Sequence, residues 1–227
     1  MNQKITIAID GFSSTGKSTL AKALAKYLGY VYVDTGAMYR AIALFAMQNN
    51  LINANFFNVQ SLIEKLAAVR LSFKFNPDLG FAEMYLNDVN VETEIRTLEV
   101  SNFVSKVAEI SEVRAKLVEQ QQEMGKEKGV VMDGRDIGTV VFPDAELKIF
   151  MTASPKIRAE RRFKELQKKG DTVTFDAVLQ NVQERDYLDT NRADSPLIKA
   201  KDALELDNSN SSKEEQFEQV LKWIAVR

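Results

Sequence analysis

Cysteine and histidine are both absent from the 227 residues of this chain, and each absence removes a block of chemistry. Without cysteine there are no disulfides, thiol nucleophiles or thiolate metal sites. Without histidine the usual general base near neutral pH and the commonest metal ligand are gone. Charge of one sign is lacking too: 30 Lys and Arg stand against 32 Asp and Glu, for a net charge of −2. Nothing in that balance favours a nucleic-acid polymer or an anionic membrane surface. No apolar run approaches the ~20 residues that span a bilayer, and no signal-peptide core opens the chain, so a cytoplasmic protein is expected. Internal repeats and low-complexity tracts are also missing, the polar run at 207–212 reading as a loop before the last helix. Few enzyme classes pass these filters. Phosphoryl transfer onto an acceptor that is already an anion does, because it needs positioning, Mg²⁺ and cationic charge more than a proton-abstracting side chain.

The length suits one full-sized core with insertions, and 45% hydrophobic with 27% charged residues are ordinary proportions for a globular protein. Within it, Gly11-Phe12-Ser13-Ser14-Thr15-Gly16-Lys17-Ser18 spells a phosphate cradle. Its glycines allow a tight turn with N–H groups aimed inward, Lys17 supplies an ammonium for the outer phosphates, and Ser18, followed by Thr19, ligates Mg²⁺. The flanks agree. Residues 4–10 form a short β-branched run fit for a buried strand, while Leu20, Leu24 and Leu28 recur at helical spacing before Gly29.

Apolar runs at 5–9, 30–33, 130–132, 147–151 and 203–206 alternate with helical patterns near 17–28, 36–50, 58–68, 97–109, 112–127, 155–169, 175–190 and 212–226. That alternation implies βαβ units and a parallel sheet in an α/β core. Residues 70–76 and 82–87, joined by an Asn-Pro-Asp-Leu-Gly turn, interrupt it as an antiparallel hairpin, with a third strand near 89–92. The hairpin is either a decoration or a segment that closes over an acceptor.

In open α/β sheets, ligands bind beyond the carboxyl ends of the strands. The second strand ends in Asp34-Thr35-Gly36-Ala37-Met38-Tyr39-Arg40, where a helix N-terminus with Thr35, Tyr39 and Arg40 can take an anion. The third ends in Asp133-Gly134-Arg135-Asp136, with Asp133 placed to hold Mg²⁺ through water. Arg185, Asp189 and Arg192 share a helix face at i, i+4 and i+7. Such spacing often marks a solvated face, but two phosphorylated ligands meeting end to end require guanidinium forks. At least one of Arg158, Arg161 and Arg162 is expected to fold over the phosphates. No segment stands out as a reader of adenine.

Five ordered motifs, D-G-x-x-x-x-G-K-S-T at 10–19, D-T-G-A-M-Y-R at 34–40, E-I-R-T at 94–97, D-G-R-D-I-G-T-V-V-F-P-D-A at 133–145 and R-D-x-x-D-x-x-R at 185–192, make the chain resemble the bacterial cytidylate kinase family over essentially its full length. The resemblance implies a P-loop nucleoside-monophosphate-kinase fold: a five-stranded parallel sheet flanked by helices, with a small antiparallel β insert and a helical lid. One domain is implied, with its core at about 1–66 and 97–227, a monophosphate-binding insert at about 67–96 and a lid at about 155–185. It further implies ATP and Mg²⁺, CMP or dCMP as acceptor, and a monomer. By residue, it suggests Arg40, Arg135 and Arg192 on the acceptor phosphate and Arg185 and Asp189 near the ribose. Ser105, Arg114 and Asp136 would face the cytosine, whose N4 amine suits an ionised Asp136. Lys17, Arg135, Arg185, Arg192, Arg158 and Arg162 form the expected catalytic set. Phe12 departs from the proline usual there, and Leu188 fills a place that is often polar. Kinases of shikimate, gluconate or AMP are the nearest alternatives. A GTP switch is disfavoured by the absence of an N-K-x-D signature, and a non-catalytic nucleotide-binding module by the presence of Lys17, Ser18 and Asp133 together.

Overall fold

The computed structural model describes residues 4–168 and 170–227, so residue 169, at the end of the expected 155–169 helix, lies outside the described residues. The chain divides into two compact units, Met1–Val33 with Gly125–Arg227, and Asp34–Met124.

In the first unit β1 (Thr6–Gly11) runs fully buried into a loop and then α1 (Lys17–Leu28). Leu20, Ala21, Leu24 and Ala25 bury one face of α1, and Gly29 closes it by donating its N–H to Ala25. The chain then enters β2 (Val31–Asp34).

The second unit opens with α2 (Thr35–Gln48), N-capped by the Asp34 carboxylate, which accepts from the Ala37 N–H. A two-residue hairpin, β3 (Ile52–Asn53) and β4 (Phe56–Phe57), follows where the sequence suggested no strand. Next come α3 (Val59–Lys65), prolonged by a 3₁₀ turn Leu66–Ala68, and the antiparallel β5 (Leu71–Asn76), β6 (Phe81–Leu86) and β7 (Val89–Asn90). Leu71, Phe73 and Phe75 do alternate as expected, but burial fades from Leu71 to Phe75, which is 70% exposed. The pairing runs from Leu71 opposite Leu86 to Asn76 opposite Phe81, so Phe75 lies near the free tip. A 3₁₀ turn Glu94–Arg96 precedes α4 (Leu98–Ala108) and α5 (Ser111–Met124). Alanines and Ile42 of α2, Val104 and Val107 of α4, Leu117 of α5 and Met84 of β6 share one core.

Returning to the first unit, β8 (Val130–Gly134) leads into a π-helical turn, Ile137–Val141, and then β9 (Leu147–Thr152), α6 (Pro155–Lys168), α7 (Phe175–Asn191), β10 (Leu204–Asp207) and α8 (Lys213–Ala225). The five strands stand in the order β10-β9-β1-β8-β2. β1 pairs in parallel with both β8 and β9, and β10 with β9. Ile7, Ile9, Val131, Leu147, Ile149 and Met151 pack against Leu24 of α1 and Val220 of α8. The central place of β1 puts the end of the phosphate loop's strand between the ends of β8 and β9, where open α/β sheets gather ligands. Among the described residues no helix is long and apolar enough to cross a membrane.

Candidate active site

The loop after β1 owes its shape to glycine at both ends. Gly11 has φ +146°, and a Cβ there would lie 2.1 Å from the Met151 carbonyl oxygen. Gly16, at φ +93°, is the left-handed N-cap of α1 and makes no side-chain cap bond, which leaves first-turn N–H groups facing any anion in the loop. The Ser13 hydroxyl is buried within the loop without a hydrogen-bond partner, as a phosphate-binding hydroxyl would be.

Lys17 lies back across this loop and donates to the carbonyls of Gly11 (2.8 Å) and Phe12 (2.6 Å). Burial, and after it the Arg135 charge, holds its ammonium well below the ordinary lysine range. Ser18 donates to Asp133 Oδ2 at 3.0 Å, and the Tyr32 hydroxyl donates to Asp133 Oδ1 at 2.9 Å. Hydroxyl and carboxylate thus meet at the ends of β1 and β8, an oxygen donor pair suited to Mg²⁺. Among the described residues no group of three or more acidic side chains could cage an ion.

Beyond Asp133, Arg135 donates from Nε to Asp189 Oδ2 at 2.8 Å. Burial opposes the Arg135 charge, yet the carboxylates of Asp189, Asp133 and Asp186 hold its guanidinium above the usual range. Asp189 is the converse: burial pushes its carboxyl up, and Arg135, Arg185 and Arg192 together bring it below the usual value. Arg192 stands just past the end of α7 rather than within it, and still acts with Arg185 on Asp189. The helix ends at Asn191, and Arg192 is its extended C-cap, with Nε donating to the Ser195 carbonyl at 2.8 Å and Nη2 3.9 Å from Asp136 Oδ1. At the exit the N–H of Arg192 still reaches Leu188 while its φ and ψ are already extended.

The α6 arginines divide their work. Arg158 is almost fully buried, and it forks onto Asp186 (2.9 and 2.5 Å), donates to the Ala153 and Ser13 carbonyls and lies over the Phe12 ring. It therefore ties α6, α7 and the phosphate loop together. Arg162 pairs with Glu165, and Arg161 donates to the side chain and carbonyl of Asn208. Asn208 in turn donates to the Thr15 carbonyl. Beside these groups a cavity of 840 Å³ is lined by Gly16, Thr19, Arg161, Arg162, Asn208 and Phe217, among others. The stretch read from sequence as a plain loop before α8 is thus one wall of a space adjoining the phosphate loop.

Within the second unit, Asp34 Oδ2 accepts from Arg40 at 3.0 Å and from Arg96 at 3.2 Å, and Glu92 takes the Nε of Arg96 at 2.8 Å. Burial acts to raise the Asp34 carboxyl, but Arg40, Arg96 and the Ala37 N–H outweigh it and bring it to about 2. Arg114 is buried with its guanidinium 5.7 Å from the centre of the Tyr39 ring, and Thr35 and Ser105 are buried as well. Tyr32, Asn208 and Asp186 join these groups as partners that local sequence does not mark. None stands in a pattern that betrays its partner, which lies 101, 193 and 28 residues away for Asp133, Thr15 and Arg158 respectively.

The family model described as cytidylate kinase matches residues 7–226. The chain is 72% identical over 222 residues to a cytidylate kinase of Flavobacterium johnsoniae, covering 98% of this chain and 96% of that one. To a cytidylate kinase of Flavobacterium psychrophilum it is 68% identical over 222 residues, covering 98% of each. Among solved structures, an uncharacterized protein from Eubacterium ventriosum superposes with a TM-score of 0.51 at 12% identity, covering 99% of this chain and 100% of that chain. That likeness speaks to the fold alone.

Proposed function

This chain belongs to the cytidylate kinase family, and from that premise we propose that it transfers the γ-phosphoryl group of ATP to CMP, giving CDP and ADP, with dCMP as a second acceptor. The observation that carries the reading is the meeting of Ser18 and Asp133 at 3.0 Å beside Lys17, in the unit that also holds Arg135, Arg185 and Arg192. Such a site carries the parts phosphoryl transfer needs, oriented cations around a phosphate cradle.

Lys17 and the N–H groups from Phe12 to Thr19 hold the β- and γ-phosphates. Ser18 and Asp133 would hold Mg²⁺, which when bound neutralises charge on the same phosphates. The 840 Å³ cavity between Arg161, Asn208 and Phe217 takes the donor base. Arg135 and Arg192 bind the acceptor phosphate together with Arg40, and Arg185 and Asp189 meet its ribose. Asp136, Ser105 and Arg114 read cytosine, and Thr35 and Tyr39 complete the acceptor contacts. An ionised Asp136 accepts from the N4 amine of cytosine, while uracil turns an acceptor toward the same oxygen. The arginines neutralise the charge that spreads over the equatorial oxygens in flight, and no proton-abstracting residue is required. Residues 155–185 act as the lid that excludes water, with Arg158 and Arg162 among its cations, and residues 67–96 as the monophosphate-binding insert of a monomeric cytoplasmic enzyme.

A coupled assay with ATP against CMP, dCMP, UMP and AMP tests the reading. CMP and dCMP should give the highest kcat/KM. A higher value for AMP or UMP overturns it.

A further inference from the structure

We propose that Asp10 is a positioning residue for acceptor selection: its carboxylate holds the turn that carries Asp136 and so sets the direction in which Asp136 meets the acceptor base. Asp10 sits in β1 immediately before the phosphate loop and is 5% exposed. Its Oδ1 accepts from the Ile137 N–H at 2.8 Å and its Oδ2 from the Gly138 N–H at 2.7 Å. These are the first two residues of the π-helical turn, and the residue before them is Asp136.

Asp136 is thereby tied at both polar groups of the peptide that follows its Cα. Its own carbonyl accepts from Val140 (2.8 Å) and Val141 (3.2 Å), while the next N–H in the chain is held by Asp10. With φ −147° and ψ 24° outside the regular helical and strand regions, the backbone there depends on such ties to stay in place. Gly138 shows how closely the parts fit. A Cβ at that position would lie 3.3 Å from Asp10 Oδ2 and 3.1 Å from the Lys148 stem.

A buried carboxylate is costly wherever its two oxygens are not both used. Burial pushes Asp10 up to about 7, with the N–H groups of Gly138 and Ile137 pulling the other way, Asp136 adding to the rise and Lys17 opposing it. An asparagine or a small apolar residue would spare that cost, but only a carboxylate gives each of the two adjacent N–H groups an oxygen of its own. Asp10 also adjoins Gly11, whose carbonyl accepts from Lys17, so one residue links the phosphate loop to the turn bearing Asp136.

This inference rests on the proposed contact between Asp136 and cytosine, and the test separates the two. Steady-state kinetics with CMP and UMP, at varied ATP, are compared for wild type, Asp10→Asn, Asp136→Asn and the double variant. Amide hydrogen exchange is followed at Ile137 and Gly138. Asp10→Asn should speed exchange at those two amides and lower the CMP:UMP ratio of kcat/KM by roughly tenfold, the usual scale for losing a partner that orients a contacting group. Adding it to Asp136→Asn should not change the ratio further. A change in Lys17 electrostatics or in general stability would depress both acceptors alike. If Asp10→Asn does only that, while Asp136→Asn alone collapses the ratio, base reading stands and the positioning role is refuted. If Asp136→Asn leaves the ratio intact, the cytosine contact falls and this inference with it. Should Asp10→Asn fail to fold, Gly138→Ala pushes the same turn from the carboxylate with no change of charge and should lower the ratio in the same sense. An unchanged ratio in folded Gly138→Ala overturns the proposal.

Discussion

Replacing Asp34 with asparagine removes one negative charge from a buried site shared by two arginines. Its carboxyl is held near 2 against an ordinary value of 3.8: burial acts to raise it, but Arg40, Arg96 and the Ala37 N–H prevail. A depression of roughly two units, at about 1.4 kcal/mol each, makes the ionised form worth about 2.5 kcal/mol to the folded state at neutral pH. Asp34 is 7% exposed and its partners 17% and 30%, so little of this is screened away. The asparagine oxygen can still accept from Ala37, and the helix cap survives. The amide NH2 then faces the donors of Arg40 and Arg96, so the loss is at least the charge contribution, equivalent to a fall of about 5–10 °C in melting temperature for a chain of this size. Its sign with pH is set by a folded value lying below the unfolded one. The contribution is complete above the unfolded value, shrinks to roughly half near pH 3 and is mostly gone near pH 2. Thermal and urea melts of wild type and Asp34→Asn between pH 7 and pH 2.5 read this directly. The two should differ most at neutral pH and converge in acid. A gap that stays constant across that range, or one under about 0.5 kcal/mol at pH 7, would refute the electrostatic account.

Lys17→Ala should lower turnover by several orders of magnitude without unfolding the chain, because it removes a cation aimed at charge developing in the transition state. Single-turnover kinetics and a circular-dichroism melt check both halves, and more than about a tenth of wild-type turnover would contradict the role. Gly11→Ala should abolish soluble expression or lower the melting temperature sharply, since its Cβ would lie 2.1 Å from the Met151 carbonyl oxygen at a φ of +146°. Gly170→Ala, with nothing within 4 Å of its Cβ, should cost no more than about 1–2 kcal/mol of backbone strain, and equal effects would show that the approach of β9 is not what demands glycine. Arg192→Ala should cut kcat/KM for CMP at least about 100-fold, as loss of a buried charged contact does. Arg227→Ala, at the exposed chain end, should leave it unchanged, and similar losses from both would remove Arg192 from the site.

Much of the architecture is written in local sequence. Among the described residues the five parallel strands, the eight α-helices and the strand–loop–helix around Lys17 follow from hydrophobic period, glycine placement and capping, properties of neighbours a few residues apart. The same locality explains the misses. The hairpin Ile52–Asn53 with Phe56–Phe57 is too short to set a period, the π-helical turn at Ile137–Val141 takes its cap from β1, and Arg192 leaves α7 at a point that helical spacing alone does not mark. The candidate residues Lys17, Ser18 and Asp133 were legible because strand ends and a glycine-rich loop have a recognisable local grammar. Their pairings were not. That Ser18 meets Asp133 across 115 residues, Asp10 meets Ile137 across 127, and Asn208 meets Thr15 across 193 depends on β1 lying between β8 and β9. Strand order is decided by which apolar faces pack together over the whole core, a non-local sum of burial that no short window of residues contains.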